Sequence, residues 1–291
     1  MLDTVAVTLP GGFWCEGECH RTAMLRPLNG EDEAFLSEMG TALLPAQRVT
    51  ALLSRCVGRL GDFQPVTYQM TRSLCVGDRE ALLLQLRRLS LGDKMSCLVR
   101  CPRADCGETI DAEVQASDML LHPYAHCREQ YEEEIRDNGT AYRVRFRLPT
   151  GADQETAAVL ARENLQTAAE LILRRCVAEV AVNGTPARQL AEWPPSVTRQ
   201  VPLLMAHLDP QAELWLTLSC PECGHRFTTL LDTAMYLFQE LAQRLKGLYR
   251  EVHYLAFYYH WREAEILALP SQRRQRYLEL LAESLAPQRR V

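Results

Sequence analysis

The chain has 291 residues, 47% of them hydrophobic and 24% charged, which suffices for two ordinary domains or one large one with a sizeable core. A net charge of −5 argues against general affinity for nucleic acid, and no apolar run approaches the roughly eighteen residues of a membrane span. Eleven cysteines, with no basic and apolar leader before them, point to a reducing cytoplasm in which thiols are free or metal-bound.

Residues 1–20 predict an N-terminal arm, glycine-rich over 8–20. Its Cys15, Cys19 and His20 could join a second metal, though no fourth ligand is evident. Arg21 to Leu28 predicts a short strand. Asn29-Gly-Glu-Asp-Glu33 opens a helix with acids at its positive end, and Val49 to Val57 is again helical. Val66 to Met70 alternates like a strand. Val76-Gly-Asp-Arg-Glu80 then starts a helix whose continuation, Ala81 to Leu89, is apolar on most of its circumference and so expected to be buried.

Gly92-Asp93 turns the chain toward a thiol turn, Cys101-Pro-Arg-Ala-Asp-Cys106-Gly107. Met95 to Arg100 leads into it, and Glu108 to Val114 alternates as a strand after it. Residues 121–140 are a charged connector, with Arg128 to Asp137 reading as a solvated helix. Tyr142 to Leu148 alternates basic and apolar, an amphipathic strand, and Thr150 caps the next helix. Leu171 to Val177 has the character of Leu52 to Val57, and Val180 to Thr185 predicts a hairpin. Thr198 to Met205 leads toward a second thiol turn, Cys220-Pro-Glu-Cys223-Gly224, flanked by Leu214 to Ser219 and His225 to Leu231.

Two cysteines cannot complete a tetrahedral zinc shell, but four can. The expectation is one structural zinc held by Cys101, Cys106, Cys220 and Cys223, which leaves no open position for catalysis. Landmarks in the two halves also keep nearly one spacing: Gly30 with Gly151, Cys56 with Cys176, and Cys101 with Cys220. Residues 21–120 and 141–235 therefore read as two copies of one unit. The fold class expected is α+β: duplicated strand–helix–zinc-knuckle units joined by one four-cysteine site, with a helical C-terminal tail at 236–291. That tail is rich in aromatics, and Tyr249, Tyr254, Phe257, Tyr258 and Trp261 are candidates for a docking face.

Chemistry of other kinds is missing from the sequence. There is no phosphate-binding glycine loop, no nucleophile elbow and no His-Glu-x-x-His pair. His260 reads as a packed or surface histidine and Cys97 as a core thiol. No catalytic residue is assigned, and the chain is expected not to be an enzyme.

Ser73 to Leu84, then Leu91-Gly-Asp93 and the first thiol turn, resembles the T-even-phage-type baseplate hub assembly chaperone family. Phe146 to Asp153, Cys220 to His225 and Tyr259 to Pro270 are similar to longer members from contractile systems. The first turn departs from the pattern, with four residues between its cysteines. The resemblance implies a non-enzymatic role in building the baseplate or central hub of a contractile tail, in a phage or a contractile injection system. The expected partners are baseplate, hub or spike proteins, met in the cytoplasm during assembly or in the finished particle. A zinc-ribbon nucleic-acid module is the alternative, supported by Arg273, Arg274, Arg276, Arg289 and Arg290. A thiol oxidoreductase at Cys220 to Cys223 ranks last, because strands and not a helix start flank that turn.

Overall fold

The computed structural model of the chain describes residues 4–39, 42–182, 185–187 and 193–285. In its first part, β1 (Val5–Cys15) and β2 (Glu18–Leu25) form a hairpin. Helices α1 (Gly30–Met39) and α2 (Pro45–Cys56) follow, and β3 (Val57–Leu60) returns antiparallel to β2. Helices α3 (Tyr68–Ser73) and α4 (Val76–Leu91) lead to a separate two-stranded hairpin, β4 (Lys94–Arg100) and β5 (Thr109–Gln115). The second part begins with β6 (Tyr131–Asp137) and β7 (Thr140–Phe146). Then come α5 (Gly151–Ala161), α6 (Leu165–Cys176), β8 (Val177–Val182) and β9 (Thr185–Ala187), giving a sheet of order β6-β7-β8-β9. Helix α7 (Pro195–Leu208) precedes the hairpin of β10 (Leu214–Ser219) and β11 (Arg226–Leu231). Three helices close the chain: α8 (Thr233–Tyr259), α9 (Glu263–Leu267) and α10 (Ser271–Leu285). The fold is thus mixed α and β, built of small sheets and ten helices among the described residues.

Three local expectations are corrected. The N-terminal arm is half of a sheet: Val7, Leu9 and Phe13 are buried, and a register shift between Thr8 and Phe13 absorbs the glycine pair. The segment 128–137, expected to be a solvated helix, contains strand β6, in which Tyr131 and Ile135 are buried and Glu132 to Glu134 are exposed. Its turn to β7 runs through Asn138 and Gly139, both at positive φ, as a tight hairpin turn requires. Val66 to Met70 is not a strand; Thr67 caps α3 by accepting a bond from the Met70 N–H.

The first sheet packs α2 and α4 into one apolar core, to which α8 adds Leu237 and Leu241. The aromatic tail therefore starts inside the body. The second sheet packs α6 and α7 into a second core around Phe146, Val180 and Val201. Each core is edged by the same polar arrangement. Arg26 forks both oxygens of buried Asp32 at 2.5 and 3.0 Å and also donates to the Arg55 carbonyl, while Arg55 Nε reaches Asp32 at 2.9 Å. Arg147 forks buried Asp153 at 2.6 and 3.0 Å and donates to the Arg175 carbonyl, while Arg175 Nε reaches Asp153 at 2.8 Å. Cys56 and Cys176 each lie 3.9 Å from their aspartate. Burial opposes ionisation of both carboxyls, but the arginine bonds outweigh it and hold them below the usual carboxylate range.

The two parts meet, and the C-terminal helices close on the first part, where helices begin. The Gly151 N–H donates to the Leu74 carbonyl at 3.1 Å, and the start of α5 presses on buried Arg79 of α4. The Gly30 N–H donates to the Leu269 carbonyl at 3.2 Å, and the start of α1 presses on buried Arg274 of α10. Arg274 itself pairs with Glu33 and, at 2.9 Å, with Glu251, so the C-terminal helices are pinned back on α1.

Candidate metal centre

The two small hairpins, β4–β5 and β10–β11, each carry a thiol turn at their tip. In the first, the Cys101 N–H donates to the Glu108 carbonyl at 2.8 Å, and Gly107 takes a φ of 61° to close the turn. In the second, the Cys220 N–H donates to the His225 carbonyl at 2.9 Å, and Gly224 takes a φ of 68°. Only glycine adopts that backbone freely. Both turns present their first cysteine inward, so Cys101 and Cys220 are buried while Cys106 and Cys223 are half-buried.

The tips face each other. Cys101 Sγ lies 3.8 Å from Cys223 Sγ, and Cys106 Sγ lies 3.7 Å from Cys220 Sγ. All four sulfurs fall within 4.8 Å of one another. A disulfide needs about 2.05 Å, so these are thiols. A tetrahedron with metal–sulfur arms of about 2.3 Å has edges of about 3.8 Å, which the two measured separations match. The four cysteines can therefore hold a metal ion, and the extra residues in the first turn do not spoil the geometry. Backbone N–H groups, that of Cys223 foremost, lower the Cys220 thiol to about 7, while Cys101 and Cys106 are pushed up.

The surroundings explain why a metal would matter here. A two-stranded hairpin is marginal on its own. The only apolar group at these tips is a small cluster of Cys101, Ile110 and Cys220, with Cys106, Cys223 and Phe227 packed around it. Four of its six members are the candidate ligands. Among the described residues this is also the only such metal-holding group, so Cys15, Cys19 and His20 do not form a second one. His20 stacks edge-on against Phe63 instead, with ring centroids 5.1 Å apart.

The aromatics of the tail divide. Tyr249, Tyr254, Phe257 and Tyr258 are exposed on α8, Phe257 at 64%. Trp261 is turned inward, with its ring 4.7 Å from Tyr277 and 5.1 Å from Tyr259. The Arg26–Asp32–Arg55 and Arg147–Asp153–Arg175 clusters were missed in the sequence. Their signal was present as an Arg, an Asp and an Arg-Cys pair recurring 120 or 121 residues later.

A family model described as T4 bacteriophage base plate protein matches residues 28–239. No curated protein and no solved structure matches the chain. Among the described residues, no helix is long and apolar enough to cross a membrane.

Proposed function

The chain belongs to the T4 bacteriophage base plate protein family, and from that membership we propose that it is a non-enzymatic baseplate or hub component, or an assembly chaperone, of a contractile tail. It works by binding other tail proteins, in a phage or in a contractile injection system. The observation that carries this reading is the extent of the match. Residues 28–239 run from the first helix through both thiol turns, so the shared part includes the four-cysteine cluster.

The metal in this reading is zinc, a closed structural site that needs no fourth ligand from solvent. When bound, it would cross-link two hairpins that otherwise lack a core, leaving the body rigid enough to present surfaces. The two parts, 21–120 and 141–235, are diverged copies of one unit. The paired clusters support that, because the same four residues, two Arg, an Asp and a Cys, make the same contacts in each half. Residues 236–291 form the docking tail, with Tyr249, Tyr254, Phe257 and Tyr258 on its open face and Trp261 bracing that face from inside. Assembly takes place in the cytoplasm, with tail proteins as partners.

The test is a tagged copy expressed at its native level in a host that makes the tail. Soluble and particle-sized fractions are captured separately and identified by mass spectrometry. Hub, spike or wedge proteins in the particle fraction make it a built-in subunit; the same partners in the soluble fraction alone make it a chaperone that leaves. Phe257→Asp should reduce that capture without lowering the melting temperature, since the side chain is exposed. Capture of nucleic acid in place of tail proteins would overturn the proposal.

A further inference from the structure

A second group of thiols lies far in sequence from the metal centre. The glycine pair Gly11-Gly12 forms the irregular part of β1, and three cysteines crowd it. A Cβ on Gly12 would sit 2.5 Å from Cys19 Sγ, and one on Gly11 would sit 2.9 Å from Cys75 Sγ. The Gly11 carbonyl oxygen is shared by two thiols: Cys19 Sγ lies 3.6 Å from it, and Cys127 Sγ donates to it. Cys75 is already engaged, with its sulfur 3.0 Å from Asp78 Oδ2. That leaves Cys19, on β2, and Cys127, on the 121–130 connector, as neighbours at one acceptor.

The connector is buttoned to the hairpin at this place. The Tyr124 N–H donates to the Pro10 carbonyl at 2.9 Å, and Arg21 donates to the Tyr124 carbonyl at 2.9 Å. Beside it opens a cleft of about 340 Å³, lined by Gly11 and Cys127, by the arginines Arg72, Arg128 and Arg147, and by Glu129. With Arg72 and Arg147 paired to Glu155 and Asp153, Arg128 is the cation left there to meet a carboxylate on one arm of a small disulfide. We propose that Cys19 and Cys127 form a disulfide by exchange with such a molecule, of the glutathione disulfide class, and so lock the connector between the two parts onto the N-terminal hairpin.

The exchange balances. The Cys127 thiolate, which faces the cleft, attacks one sulfur of glutathione disulfide and releases one glutathione thiolate. The Cys19 thiolate then attacks the Cys127 sulfur and releases the second glutathione thiolate. Two protein thiols are oxidised by two electrons, one disulfide is reduced to two glutathiones, and the protons lost by the cysteines go to those products. Burial pushes the Cys127 thiol up, so the reaction quickens as the pH rises.

The experiment uses the full chain, purified without chelator so that its metal-centre thiols stay protected. It is incubated with glutathione disulfide at pH 7 and pH 8.5, alkylated and mapped by non-reducing mass spectrometry. The expected result is a Cys19–Cys127 cross-linked peptide, formed several-fold faster at the higher pH. The closed form should melt about 5 °C or more above the reduced one, since the loop it closes is long. Cys19→Ser should give only Cys127 carrying glutathione. A wild-type map in which Cys127 keeps glutathione unresolved, or in which Cys19 pairs with Cys15, would overturn the proposal. So would eleven unchanged thiols. The map is read on the wild-type chain, so a variant that fails to fold does not decide it.

Discussion

At the scale of single residues, two buried carboxyls, Asp153 and Asp209, are shifted in opposite directions. Asp153 is fully buried but gripped by Arg147 and Arg175, and its carboxyl is held well below the usual range. Its contribution to stability is present above the ordinary carboxylate value and is lost as the pH falls toward the folded one. Asp209 has no cation bonded to it. Burial raises it to about 6, against bonds from the Tyr124 hydroxyl and the Gly77 N–H. Its folded form holds the proton more tightly, so that contribution is complete below about pH 4 and is lost as the pH climbs through 6. Asp153→Ala should therefore cost about 2–4 kcal/mol at neutral pH, because it strands two partly buried arginines. Asp209→Asn should make the melting temperature fall less steeply between about pH 4 and pH 6. Melting curves of both variants from pH 3 to 7 check the two signs; an unchanged slope in Asp209→Asn would contradict the second.

At the scale of elements, one contact between the two parts is made by a helix start without a side chain. A Cβ on Gly151 would lie 2.2 Å from Arg79 Nη1, a guanidinium held among the Thr50 hydroxyl and the Thr71 and Ala46 carbonyls. Gly151→Ala must displace that group, and a loss of about 1–3 kcal/mol is expected in chemical denaturation. Glycine to alanine at a helix start would otherwise be neutral or stabilising, so a gain would show that the helix start is not pressed on Arg79.

The thiol turns were legible in the sequence because Cys-Pro and Cys-Gly pairs flanked by alternating strands carry their own geometry. Strand β6 was not, since Tyr131 and Ile135 are four residues apart with charges between, a pattern shared with a solvated helix. The glycine pair that suggested a loose arm accommodates an irregularity inside a paired strand. The Asp32 and Asp153 clusters depend on partners brought in from the far end of a helix, and nothing local marks them. The exposed aromatics of α8 were visible as a group. The inward turn of Trp261 was not, because it depends on Tyr277 in a later helix.

At the scale of the molecule, two parts with separate apolar cores and the C-terminal helices are joined at several places, of which three differ in their surroundings. The starts of α5 and α1 are pressed on Arg79 and Arg274, and the two hairpin tips meet through four thiols. The first two contacts have packed surroundings, whereas the third has little besides the ligands themselves. Metal loss should accordingly loosen the hairpins before the cores. In small zinc peptides the metal supplies on the order of 10 kcal/mol; a body with its own cores should lose less, and Cys220→Ser should melt several degrees lower while keeping its helices. Cys101, Cys106, Cys220 and Cys223 are together expected to bind one zinc. X-ray absorption at the zinc edge on the purified chain, with the metal counted, tests it most directly. One zinc per chain with four sulfur neighbours at about 2.3 Å is expected. Absence of zinc, or a shell with nitrogen or oxygen in place of any sulfur, would contradict it.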